Sequence, residues 1–96
     1  MTKKVTWLPE DETSNVLRYD LNFTIAKEVV LNPLTVALVN VHRDFSYIGF
    51  CDDLSTLAYV YCIREEEFTR IVLARRASRS EQLEFFRIIR GENNET

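Results

Sequence analysis

Phe68-Thr69-Arg70-Ile71-Val72-Leu73-Ala74-Arg75-Arg76-Ala77-Ser78-Arg79-Ser80-Glu81 runs without a break into Gln82-Leu83-Glu84-Phe85-Phe86, and its reading decides the fold. The first half is a β-type run. The second opens on Ser78 with Glu81 three residues later, the capping box that starts a helix. A strand near 68–74 therefore passes into a C-terminal helix, whose apolar side reads as Leu83, Phe86 and Ile89 and whose natural stop is Gly91. Regular alternation places Phe68, Arg70 and Val72 on one face of that strand and Thr69, Ile71 and Leu73 on the other. It also sends Arg75 and Arg76 to opposite faces unless the strand twists or bulges near Ala74.

The same block holds the positive charge. The chain has 96 residues and a formal net charge of −3, yet residues 68–80 carry Arg70, Arg75, Arg76 and Arg79 and no acid. Guanidinium groups bind phosphoryl oxygens as a bidentate fork, so these four form a candidate phosphate grip. The competing reading is a solvated basic surface paired with Glu65, Glu66, Glu67, Glu81 or Glu84, which is the commoner fate of surface arginines.

Outward from this block, strands are expected near 34–41, 45–50 and 56–63, with Asp52-Asp53 and Arg64-Glu65-Glu66-Glu67 as hairpin connections. From residue 45 onward the sheet is then an antiparallel meander. Pro9 suits the first position of a helix, with Glu10, Asp11 and Glu12 against the positive end of its dipole, and that helix runs to Arg18 or Tyr19. Asn22 is the N-cap of a second helix with Phe23, Ala26, Val29 and Val30 on one face, ended by Pro33. The fold class is α+β: two N-terminal helices, a central antiparallel sheet of about four strands, and a terminal helix. Trp7, Leu17, Phe23, Phe85 and Phe86 have the spacing of core residues.

Composition bounds the rest. Residues 1–91 make one domain and 92–96 a polar tail. Cys51 and Cys62 form no C-x-x-C pattern and behave as small apolar residues of a reducing compartment. No apolar run approaches the ~20 residues of a membrane helix, and the expected location is cytoplasmic. The acidic balance argues against loose nucleic-acid binding, so any RNA contact is local.

In this order of elements the residues resemble the BrnT toxins of the RelE-like ribonuclease toxin superfamily. Trp7, Pro9, Asn15, Arg18, Phe23, Ala26, Val29 and Pro33 fall in the register of that family's N-terminal half. Arg70-Ile71-Val72-Leu73-Ala74-Arg75-Arg76-Ala77-Ser78 matches its arginine-bearing strand, and with the Tyr47-Ile48-Gly49 strand the likeness extends from Trp7 to Phe86. The resemblance implies a RelE-like fold and a type II toxin-like, metal-independent endoribonuclease (an mRNA interferase) acting on single-stranded RNA. It also implies a ribbon-helix-helix antitoxin as partner; self-association into a homodimer is left open.

Departures from the family pattern bear on activity. Tyr19-Asp20 stands for histidine-glycine, Tyr61 stands at a commonly histidine position, Leu8 replaces an aspartate before Pro9, and Asn40 to Asp44 replaces a longer connection. RNA cleavage without a metal needs a base for the 2′-OH, donors for the phosphate charge and an acid for the leaving oxygen. Tyrosine, with an ordinary pKa of about 10, is a poor base, so a catalytically weakened enzyme or a non-enzymatic protein-binding module are both compatible with these residues. The candidate catalytic set is Arg70, Arg75, Arg76 and Tyr19, with Arg18, Arg79 and Tyr61 as RNA contacts. Tyr59, Tyr61 and Phe68 are candidates for base stacking, although such aromatics more often pack a core or a cross-strand pair. His42, the single histidine, is a loop residue that can stand in for a lost proton-transfer group but is more often simply solvated. Asp52 and Asp53 lack a third ligand, so no metal or cofactor is expected.

Overall fold

A computed structural model describes residues 4–39, 44–51 and 56–91. The order is β1 (Val5–Trp7), α1 (Pro9–Tyr19), α2 (Phe23–Leu31), β2 (Val36–Val39), β3 (Asp44–Phe50), β4 (Leu57–Arg64), β5 (Thr69–Arg76) and α3 (Arg79–Ile89). The α+β class and the three helices are as the sequence indicates. The sheet differs: it has five strands in the order β1-β5-β4-β3-β2 and is mixed, because β1 pairs parallel with β5. Three residues are too few for an alternation signal, and β1 is held by register with β5 and by Val5 and Trp7 packing on the core. From β2 through β5 every pairing is antiparallel.

The helix signals hold. Pro9 opens α1 with Glu10, Asp11 and Glu12 in its first turn, and Leu8, lacking a capping side chain, offers its carbonyl to the Asp11 and Glu12 amides. Asn22 caps α2 by accepting from the Ile25 amide at 2.9 Å. The Glu12 carboxylate accepts from the Phe23 amide at 2.9 Å and ties the two helices together. Phe23, Ala26, Val29 and Val30 are buried, as their spacing requires.

Each face of the sheet has its own cover. On one, α2 packs on Phe45, Tyr47, Ala58, Val60, Cys62, Ile71 and Ala74. On the other, Phe85 of α3 joins Ile48, Leu57 and Ala77, with Val36, Leu38, Phe50 and Tyr59 around them. Phe85 is the inward residue of α3, at 2% exposure, whereas Leu83 and Ile89 are 60% and 51% exposed and Phe86 lies at the boundary. The expected stripe of Leu83, Phe86 and Ile89 is therefore the outer one. Apolar residues surround more than half of this helix, so period alone does not set its phase; the face that turns to the sheet carries Phe85, one turn after Glu81, which is bonded to Arg75. Leu17, expected in the core, is 84% exposed.

The second difference lies inside β5. Tyr61 pairs with Leu73 but Cys62 pairs with Ile71, so Val72 is an extra residue and the alternation reverses there. Leu73 joins the face of Arg70, and Ala74 takes the inward place beside Val60. Arg75, opposite Tyr59, is thereby carried onto the α3 face, while Arg76, opposite Ala58, keeps the other parity. His42 and the Asp52-Asp53 connection lie outside the described residues, as does the tail from residue 92.

Candidate functional site

The helix α1 runs alongside β5 in the same direction, so successive turns meet successive strand residues. Asp11 reaches Arg70 at 3.6 Å. One turn on, the buried Asn15 side chain donates to the Ala74 carbonyl and the Leu21 carbonyl, both at 2.8 Å, and accepts from the Ala74 amide at 2.9 Å. One further turn brings Tyr19 into the neighbourhood of Arg75. Between helix and strand lies a groove of about 130 Å³ lined by Asp11, Ser14, Asn15, Arg18, Tyr19, Val72 and Leu73. The Arg18 guanidinium sits 5.8 Å from the Tyr19 ring centre.

At the Tyr19 end of this groove Arg75 is the most constrained cation. Its guanidinium lies 4.2 Å over the Tyr59 ring, and it grips Glu81 through two parallel bonds of 3.0 and 2.9 Å. A third donation, at 3.0 Å, goes to the Arg76 carbonyl. Glu81 serves two ends at once, because its carboxylate also accepts from the Ser78 amide at 2.7 Å and closes the capping box of α3. Burial pushes the Glu81 carboxyl up; the bonds from Arg75 and Ser78 and the Arg75 charge together outweigh it and leave the group below the ordinary range. The Arg75 value rises, chiefly through its bonds to Glu81.

The remaining candidates are distributed around this point. Arg70 shares the Arg75 face but stands opposite Ile63, four β4 residues from Tyr59 and ~13 Å along the sheet, hydrogen-bonded to Glu65 at 3.1 Å and ion-paired with Asp11. Thus two of the four arginines, Arg70 and Arg75, carry the glutamate pairing that the sequence offers as the alternative to a phosphate grip. Arg76 and Arg79 are exposed and make no ion pair among the described residues. Arg76 borders a separate pocket of about 280 Å³ with Phe50, Thr56, Leu57, Ala77, Gln82 and Phe86. Arg79 opens α3, two residues from Glu81. Tyr61 donates to the Asp44 carboxylate at 2.7 Å, and that bond, with burial and the Asp44 charge, raises its pKa, so its phenol stays protonated at neutral pH.

Tyr59, read from the chain as a stacking candidate, and Glu81, read as a cap and as one of five possible arginine partners, both meet at Arg75. Placing Tyr59 beneath Arg75 requires knowing the bulge at Val72. Glu81 was legible as a cap and as one of several acids able to pair the arginines; that its partner is Arg75 follows only once the strand and helix are joined in space. Phe68, a stacking candidate, is 45% exposed beneath the Lys4 ammonium. Among the described residues no cluster of three histidine, cysteine or acidic side chains is arranged for a metal, and no helix is long and apolar enough to cross a membrane.

No family model matches the chain, and no curated protein matches it in sequence. In architecture it superposes on the crystal structure of the Brucella abortus ribonuclease toxin BrnT, covering 81% of this chain and 100% of that one with a TM-score of 0.66. The chain has a BrnT-like fold. At 16% identity the agreement is one of architecture, and it spans the whole of that toxin. The BrnT-like frame accounts for the arrangement of helices and meander.

Proposed function

We propose that this chain binds single-stranded RNA at the mouth of the α1–β5 groove and cleaves it slowly, as a weakened toxin-like endoribonuclease. The observation that carries this reading is the approach of Arg18, Tyr19 and Arg75 to one another beside that groove, in a chain that is acidic elsewhere. Phosphate contacts fall to Arg75, Arg18 and Arg79. Arg70, held between two carboxylates, and Arg76, on the opposite strand parity, stand outside the first contact. A ribbon-helix-helix antitoxin that covers the basic site in the cytoplasm is the partner that fits this reading.

A second reading keeps binding and drops cleavage. It is favoured by Tyr61, whose proton is held toward Asp44 and which therefore offers no base, and by the glutamate already seated on Arg75. One titration series addresses the common part. Anisotropy of a labelled RNA of ~20 nucleotides should show binding whose logarithm falls with log salt at a slope of about −2 for three phosphate contacts, each contributing about 0.7. Arg18→Ala and Arg79→Ala should each lower the affinity and flatten the slope by about that increment. Binding indifferent to salt, or to both substitutions together, would overturn the RNA assignment.

A further inference from the structure

A guanidinium has five N–H donors arranged as two forks, one at its terminal nitrogens and one along the edge that joins Nε to Nη2. In Arg75 the terminal fork is filled by Glu81, and the second Nη1 hydrogen is taken by the Arg76 carbonyl. One face of the plane rests on Tyr59. Three donors are thus committed, and the two that remain, Nε–H and one Nη2–H, lie side by side on a single edge. No hydrogen bond or ion pair among the described residues uses that edge, and the side chain keeps 31% of its surface exposed.

We propose that Glu81 and Tyr59 are positioning residues that hold Arg75 as a preset fork, whose free Nε–Nη2 edge receives one phosphodiester of bound RNA. The inference rests on the RNA reading above and assigns these two residues a part in it. An arginine free to rotate surrenders side-chain entropy when it grips a phosphate; one already fixed by a carboxylate and a ring has surrendered it on folding. The Glu81 charge sits on the neighbouring edge of the plane, which shares Nη2 with the free fork, so it orients the group without occupying the fork. The cost is electrostatic, since a carboxylate near the phosphate weakens attraction at long range. Orientation and charge thus act in opposite directions, and the experiment separates them.

Glu81→Gln removes the charge while keeping the amide oxygen that accepts from Ser78, since glutamine also closes a capping box, so α3 retains its start. Arg75→Lys keeps the charge and abolishes the fork. Affinity for the same labelled RNA is measured for the native chain, both single variants and the double variant, with melting curves establishing that each is folded. In the Arg75→Lys background, Glu81→Gln should raise affinity, because only charge is left to act. In the native background the same change should raise it at least threefold less, or lower it. Tyr59→Leu, which leaves charge untouched, should cost about threefold to tenfold with the native arginine and nothing measurable beside Arg75→Lys. Equal effects of Glu81→Gln in the two backgrounds, with RNA still bound, would overturn the positioning role and leave the RNA reading standing. Absence of RNA binding by every folded variant would overturn both.

Discussion

Asn15 supplies from one carboxamide the pair of hydrogen bonds that a longer β1 would have given to Ala74, and it holds the Leu21 carbonyl with its remaining N–H. All three partners sit in or near the protein interior, so removal leaves buried groups without partners, each costing roughly 1–3 kcal/mol. Asn15→Ala is expected to destabilise by about 2–4 kcal/mol in a denaturant titration. Asn15→Asp should fare no better at neutral pH, because a carboxylate would face two carbonyl oxygens. Asp20 is the opposite case. It ends α1 at φ 58°, the left-handed region where glycine bears no penalty, and it occupies the position at which the resembled family carries glycine. Asp20→Gly should therefore raise stability by about 0.5–1 kcal/mol, read as an increase in Tm, and an unchanged or lower Tm would contradict the backbone assignment.

At the scale of elements, α3 shows what a pattern leaves open. Ser78 and Glu81 mark its start with no tertiary information, because a capping box is local chemistry. Which side faces inward was not legible: Leu83, Phe85, Phe86, Ile88 and Ile89 surround the helix, and the face that is buried is the one carrying Phe85, with Glu81 of the same side bonded to Arg75 across the strand-to-helix turn. Phe85→Ala should cost about 3–4 kcal/mol as a full core deletion, whereas Leu83→Ala should stay within about 0.5 kcal/mol. Comparable losses for the two would mean the helix is rotated from the orientation described. The Arg75–Glu81 clamp also gives α3 a pH dependence. Glu81 in the folded chain lies below the ordinary value of 4.5, so its contribution is complete above that value and fades as pH falls through the lowered one. The native chain should accordingly lose more stability than Glu81→Gln between pH 5 and roughly pH 3, and parallel profiles would argue against the clamp. The bulge at Val72 was equally hidden, since a one-residue register shift leaves no compositional mark, yet it decides that Arg75 meets Tyr59 and not the α2 core.

Across the whole molecule, the order of helices and the meander were legible because they depend on punctuation residues and period, which a single chain displays, and the BrnT-like likeness because particular residues, from Trp7 to the Arg70–Ser78 block, resemble that family's motifs. The site was legible only as a list. Arg18, Tyr19 and Arg75 were named from sequence, but their meeting depends on α1 running parallel to β5 and on the bulge, both long-range features; Arg70 and Arg76, named beside them, are directed elsewhere by an acid pair and by strand parity. What the assembled groove lacks, among the described residues, is a side chain that exchanges protons readily near neutral pH. Tyr19 stands where the resembled family carries histidine, and Tyr61 is held as a donor to Asp44. General acid–base assistance is worth about 10²–10⁴-fold in rate, roughly 3–5 kcal/mol of barrier, while phosphate stabilisation by Arg75 would survive its absence. The native chain should therefore cleave single-stranded RNA slowly, and Tyr19→His should raise the single-turnover rate by about 10²-fold. That gain should carry a pH profile centred near the imidazole value of about 6.5 and be lost when Arg75→Ala is added. Fast cleavage by the native chain that Tyr19→Phe leaves unchanged would remove Tyr19 from the chemistry. RNA bound by both forms and cut by neither would instead favour the binding-only reading, in which the groove grips a phosphate backbone and performs no reaction on it.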